Sequence, residues 1–232
     1  MQNWQQIWNK RGHTEETPHD LQRLLEIDGY DSGAGRIAAE DFRKYVCVIG
    51  ERLAISDGSS VYEVGCGAGA FLFALCETYD LRVGGCDYAP PLIAMVRRLF
   101  PVGAWDVVEA AEIVTVPRYD VVFARGVFHY FPNFDYARRV LERMIAKADS
   151  AVAILEVPNV ETREDAERVR RDELTPELYE EKYRGLEHLY YAPQWFGEIA
   201  DKNGCDWERF DHRVPNYAQS RFRFDVVIRK RQ

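Results

Sequence analysis

The stretch VYEVGCGAGAFL, residues 61–72, sets an acid, Glu63, just ahead of glycines at Gly65, Gly67 and Gly69. Glycines between a strand and a helix permit positive φ and let a ligand approach the backbone closely. The N–H groups that open the helix favour a negative or hydrogen-bond-accepting group. Gly65-Cys66-Gly67-Ala68-Gly69-Ala70 satisfies the loose dinucleotide pattern G-x-G-x-x-G/A, a pattern that a tight turn holding no ligand also satisfies. A carboxylate at Glu63, however, is a poor neighbour for a pyrophosphate. Further on, GGCDY ends at Asp87, whose carboxylate can accept both hydroxyls of a ribose, with Tyr88 beside it offering a face to an adenine. Asp87 could alternatively cap the helix that starts near Pro90. In ARGVFHYFPN (124–133), His129 is a side chain able to take a proton near neutrality.

The elements that must position these residues alternate. Apolar patterning predicts strands at 59–64, 81–87, 104–108, 119–125 and 150–157, with helices near 69–79, 90–99 and 133–146. VVFA (121–124) and AVAIL (151–155) are continuously apolar, as strands buried on both faces of a parallel sheet are. Ahead of the sheet, Thr17-Pro18-His19-Asp20 reads as a helix start with Thr17 as N-cap. DGYDSGAGR (28–36) reads as a loop, and residues 37–53 as a helix. After Pro158 a charge-dense stretch with a helix start at Thr175-Pro176 reads as an insertion. A final amphipathic helix ends at Gly204, and two strands close the chain.

Composition bounds the function. The 232 residues are 47% hydrophobic and 29% charged, an ordinary globular balance, with a net charge of −8. That acidity argues against an extended nucleic-acid face, which needs clustered Lys and Arg. No apolar run is long enough for a signal peptide or a membrane span, which predicts a cytoplasmic protein without a membrane partner. The five cysteines include no C-x-x-C pair; Cys47, Cys76 and Cys86 read as small buried hydrophobes, and no metal site is expected.

Taken together, E-V-G-C-G-A-G at 63–69, G-C-D-Y-A at 85–89, Y-D-V-V-F-A-R-G at 119–126 and the closing strand pair resemble the class I S-adenosylmethionine-dependent methyltransferases. The resemblance implies an α/β doubly wound, Rossmann-like sheet of seven strands, mostly parallel with the last antiparallel. It implies one methyltransferase domain over 1–232: an N-terminal helical lid (1–54), a cofactor-binding core (55–157), a helical cap insertion (158–192), and a final helix and two strands (193–232). It maps the methionine and ribose contacts onto Glu63, Gly65, Cys66, Gly67 and Gly69, the ribose acid onto Asp87 and the adenine flank onto Tyr88. The adenine amino contact, commonly an Asp-Ala pair, departs from the family pattern here, where Glu109, Ala110 and Ala111 or a slipped Glu112 stand. Glu63 suits S-adenosylmethionine, which has an ammonium and no phosphate, better than a nicotinamide dinucleotide.

The sulfonium carries the hard chemistry of such a transfer, with S-adenosylhomocysteine as product, and the protein chiefly aligns the reactants. A base is needed only where the nucleophile keeps its proton until late. His129 leads, with packing as its plainer role; Glu156 is a second base or an amine ligand, and Arg125 either orients an anion or pairs with an acid. Trp8, His188, Tyr190, Tyr191 and Tyr217 fall in segments that such folds place above the cofactor, with Trp4 at helical spacing from Trp8. The Pro-Pro-aromatic motif of one large group of nucleic-acid methyltransferases is missing from 124–133. The added N-terminal helices and the charged insertion look like the lids of small-molecule O- or N-methyltransferases, so the resemblance implies a small-molecule acceptor (a natural product, sugar or metabolite) methylated on oxygen or nitrogen. A protein methyltransferase, a non-catalytic S-adenosylmethionine-binding protein and a NAD-dependent oxidoreductase are the alternatives.

Overall fold

The computed structural model describes residues 2–11, 18–31, 33–172, 175 and 187–231. Seven strands form one sheet: β1 (Ser60–Val64), β2 (Arg82–Asp87), β3 (Ala104–Val107), β4 (Tyr119–Arg125), β5 (Ala148–Pro158), β6 (Cys205–Asp211) and β7 (Arg223–Lys230). Their order is β3-β2-β1-β4-β5-β7-β6, reversing direction of progress beside β1. β1 to β5 pair in parallel, and only β7 runs against the rest, antiparallel to both β5 and β6. The expected fold class holds.

The continuous apolar runs feed two cores because side chains alternate across a strand. Val121 and Phe123 of β4, with Ala153 and Leu155 of β5, face α2 (Leu21–Ile27), α3 (Ala39–Arg52), α4 (Ala70–Cys76) and α5 (Pro90–Leu99). Val122, Ala124, Val152 and Ile154 face α6 (Phe134–Lys147) and the helix Pro193–Lys202, here α8. Asn133 caps α6 by accepting the Tyr136 N–H at 2.8 Å. At the far end of α6 the buried Lys147 ammonium donates to the carbonyls of Val114 and Pro117, at 2.9 and 3.0 Å.

Several expectations shift. Thr17 lies outside the described residues, and Asp20 is the N-cap of α2, accepting the Arg23 N–H at 3.1 Å. Cys86 is buried, but Cys76 is half-buried and Cys47 is exposed on the outer side of α3, where apolar neighbours in sequence are not neighbours in space. Of the charged insertion, α7 (Arg163–Asp172) is described; Pro176 and the ten residues after it are not. At the N-terminus, α1 (Gln2–Arg11) carries Trp4 and Trp8, both of which line the cavity described below. Among the described residues no helix is long and apolar enough to cross a membrane, and no group of acids, histidines and cysteines is placed to hold a metal ion.

Candidate active site

The carboxyl ends of β1, β2, β4 and β5 open into a cavity of about 550 Å³, roofed by α1 and by residues around His188. Its position at the topological switch point, where the strand order reverses, is where doubly wound sheets bind ligands.

The glycine loop forms the floor. Gly65, Gly67 and Gly69 all have positive φ, at 70°, 54° and 88°. A Cβ on Gly67 would collide with the Asp28 carboxylate, and one on Gly65 would stand 2.6 Å from Val127. These glycines are thus required by what packs on them as well as by backbone conformation. Gly65 and Gly67 line the cavity with Cys66, whereas Gly69 acts one step back as the left-handed residue before α4.

Three carboxylates face this floor. Glu63 is buried and its Oε2 has no partner among the described residues; burial, with Asp28 close by, pushes its pKa well above the usual carboxylate range. Asp87 accepts the Ala89 N–H at 2.9 Å and the Gly67 N–H at 3.1 Å, and burial raises it to about 6. Ala89 occupies the cap position of α5, so the capping alternative survives only as this short turn. Asp28 was not singled out from the sequence. It accepts the Ala68 and Ala70 N–H groups at 2.6 and 3.2 Å, and burial raises it to about 7. Its carboxylate thereby sits on the N–H groups that a pyrophosphate would need. Tyr88, Glu109 and Ala110 line the same end, and Glu109 accepts the Tyr136 hydroxyl at 2.9 Å. Ala111 turns away into the second core.

At the other end stands Glu156, which departs from both roles expected of it. Its φ of 64° falls at an irregularity in the β5–β7 pairing between Ile154 and Val157, which re-aims the side chain into the cavity. There it accepts the hydroxyls of Tyr30 at 2.8 Å and Tyr217 at 2.6 Å and lies 2.9 Å from Arg125 Nη2. Burial works to raise its pKa, but Arg125 and Arg223 outweigh it and hold it near 2. A carboxylate so acidic and so fully engaged is no general base. Arg125 has taken the second of its expected roles, pairing with an acid, and its guanidinium lies 4.4 Å from the Tyr30 ring and 4.5 Å from that of Phe42.

His129 lines the cavity and is buried, with Nδ1 unpartnered; burial and the surrounding cations keep its pKa well below 6.5. Tyr130, which the sequence did not single out, packs on it at 3.9 Å between ring centroids. His188 is 4.7 Å from the His129 ring, and Trp4 and Trp8 reach Tyr130 at 4.4 and 5.6 Å. Tyr217 lines the cavity as expected. Tyr190 and Tyr191 do not. Tyr190 accepts from Arg170, which lines the cavity, without lining it itself, and the fully buried Tyr191 donates to the Phe128 carbonyl at 2.9 Å. Alternation along that extended segment puts Tyr190 on the same side as His188, where both meet Arg170, and turns Tyr191 to the opposite side.

Residues 62–148 match the family model described as a methyltransferase domain. None of the curated proteins compared matches the chain. Among solved structures, the chain is similar to N-methyltransferase NodS from Bradyrhizobium japonicum WM9 in complex with S-adenosyl-L-homocysteine: TM-score 0.63, 14% identity, covering 99% of this chain and 100% of that one. It is also similar to magnesium protoporphyrin IX methyltransferase from Synechocystis PCC 6803 with bound S-adenosylmethionine, at 0.60 and 12%, covering 97% and 90%. A TehB-like S-adenosylmethionine-dependent methyltransferase from Corynebacterium glutamicum matches at 0.55 and 16%, covering 100% and 97%. At such identities the shared property is the fold.

The residues present fit the cofactor that the family and fold imply. An unpartnered buried carboxylate oxygen on Glu63, with Asp28 and Asp87 close by, is a site short of positive charge. S-adenosylmethionine brings a sulfonium and an ammonium against one carboxylate. A dinucleotide would bring phosphates to the same acids.

Proposed function

We propose, for a chain whose residues 62–148 form a class I S-adenosylmethionine-dependent methyltransferase domain, that the methyl acceptor is a small molecule, modified on oxygen or nitrogen. The observation that carries this reading is the roof. Trp4 and Trp8 of α1 and His188 line the far end of the cavity, with Trp4 packed on His188 and Tyr130, so this end is a concave aromatic wall. A peptide or nucleic-acid strand requires a groove with two open ends, whereas a chamber of this kind buries most of a small ligand.

When bound, S-adenosylmethionine supplies a methyl group already activated by the sulfonium. The chain's own residues do the rest by placement. Glu63 offers its free oxygen to the ammonium. Asp87 offers a carboxylate to the ribose hydroxyls, keeping the loop fixed through Gly67. Tyr88 and Glu109 flank the adenine, with Ala110 lining the same wall. Arg125 and Glu156, neutralising each other, hold Tyr30 and Tyr217 in place as a rigid back wall. His129 is uncharged at neutral pH and so has a lone pair to offer a proton, but its lowered basicity restricts it to acceptors whose proton is already acidic. Alignment of the acceptor against the methyl group therefore supplies most of the rate.

The test uses methyl-labelled S-adenosylmethionine and the purified protein added to a cell extract separated by size. Label is expected in a low-mass product that separates chromatographically from S-adenosylmethionine and forms only when the protein is added. Label confined to protein or nucleic acid would overturn the small-molecule reading while leaving the cofactor assignment standing.

A further inference from the structure

The chamber's far end is specific in its hydrogen bonding. Arg170 Nη1 lies 2.9 Å from His188 Nδ1. A guanidinium can only donate, so Nδ1 accepts, and the proton of the neutral ring is on Nε2. That Nε2 is buried and has no partner among the described residues. Arg223 Nε is likewise buried and unpartnered; its nearest carboxylate oxygen, Oε1 of Glu156, is 3.8 Å away and already accepts Tyr217. Glu156 is thus one carboxylate between two buried guanidiniums, and it lies closer to Arg125, at 2.9 Å, than to Arg223. Burial and the cations Arg170 and Arg223 both work to keep His188 uncharged. The result is an N–H donor and a cationic N–H donor with no acceptor to receive them. Orphaned buried donors are costly, and the group that satisfies them best is an oxyanion.

The walls around these donors are flat. Trp4 stacks on the His188 ring with centroids 5.4 Å apart and 24° between planes, and Tyr130 meets both edgewise or tilted. Such surfaces take planar apolar bodies.

We propose that the methyl acceptor is a planar aromatic acid whose oxyanion, a carboxylate or a phosphate, is anchored by His188 Nε2 and Arg223 while its ring lies against Trp4 and Tyr130. This rests on the small-molecule reading above and narrows it. The anchor is distinct from the acid-lined floor, so the two ends of the chamber select opposite charges: cationic cofactor below, anionic acceptor above.

The test is calorimetry on protein saturated with S-adenosylhomocysteine, using matched probes. Indole-3-acetate is compared with indole-3-acetamide, and 1-naphthyl phosphate with 1-naphthol. At least one acid is expected to bind about tenfold or more tightly than its neutral partner, and the acid that does so identifies carboxylate or phosphate as the anchor. The preference should vanish in His188→Phe, which keeps the stacked ring and removes the N–H. The wild-type comparison needs no variant to fold. If neither acid outbinds its neutral partner, the proposal is wrong. If His188→Phe instead weakens S-adenosylhomocysteine binding by a similar factor, the donors serve the cofactor's own carboxylate and the proposal is equally wrong. Failure of the wild-type protein to bind S-adenosylhomocysteine would strike the underlying methyltransferase site, a different result from either.

Discussion

The carboxylate of Asp28 accepts the backbone N–H of Ala68 at 2.6 Å, joining the end of an N-terminal helix to the glycine loop. Held there by burial with a pKa of about 7, Asp28 carries a proton in half the molecules at neutrality. Its pKa is raised above the unfolded value, so between those two values the native state binds more protons than the unfolded one. Stability must therefore fall as pH rises from about 4 to about 7. A cationic ligand reverses this preference, because it favours the ionised acids. Cofactor affinity is expected to rise between pH 6 and pH 8, with protons released on binding. Titration calorimetry in two buffers of different ionisation enthalpy checks it, and Asp28→Asn should flatten the profile.

Asp87 accepts from Gly67 and Ala89 and also faces the cavity, so its removal costs both loop order and the ribose contact. Loss of a charged hydrogen-bond acceptor is worth roughly 1.5–3 kcal/mol, or about tenfold to a hundredfold in affinity. Asp87→Ala should weaken S-adenosylhomocysteine by that factor. Unchanged affinity would remove Asp87 from the ribose.

His129→Gln keeps a polar side chain of similar length and removes the imidazole. If alignment dominates, turnover should fall by no more than about tenfold, with cofactor affinity unchanged, since a positioned base contributes about a hundredfold or more. A drop of a thousandfold in turnover, with a pH dependence lost in the variant, would instead make His129 an obligatory base.

Glu156→Gln removes the only carboxylate in contact with Arg125 among the described residues, along with the acceptor strength felt by Tyr30 and Tyr217. Breaking a buried pair in this way costs about 3–5 kcal/mol. A markedly lowered denaturation midpoint is expected. Full stability combined with loss of turnover would restore Glu156 to a chemical role.

What the sequence made legible was the frame. Continuous apolar runs such as VVFA suited strands covered on both faces, and the glycine loop with Asp87 one strand later pointed to one end of the sheet as the ligand site. What it hid were relationships made by tertiary packing. Asp28 stood in a stretch readable only as a loop, forty residues from the N–H groups it binds. Glu156 looked like a free acid at a strand end because nothing local announces a bulge or an arginine that is remote in sequence and 2.9 Å away in space. Tyr190 and Tyr191 fell in the right segment but do not line the cavity, because Tyr190 is engaged by Arg170 and Tyr191 is buried against Phe128, partners that only tertiary packing supplies. Cys47 misled for the opposite reason, since its apolar neighbours belong to the other side of α3.

The account's central claim is that an acid-lined glycine loop seats a cationic nucleoside and excludes a pyrophosphate. Calorimetry of the wild-type protein with S-adenosylmethionine, S-adenosylhomocysteine and NAD, in one buffer at about pH 7.5, above the values of Asp28 and Asp87, tests it directly. Saturable binding of both sulfur nucleosides with none of NAD is the predicted result. Binding of NAD without either sulfur nucleoside would contradict it.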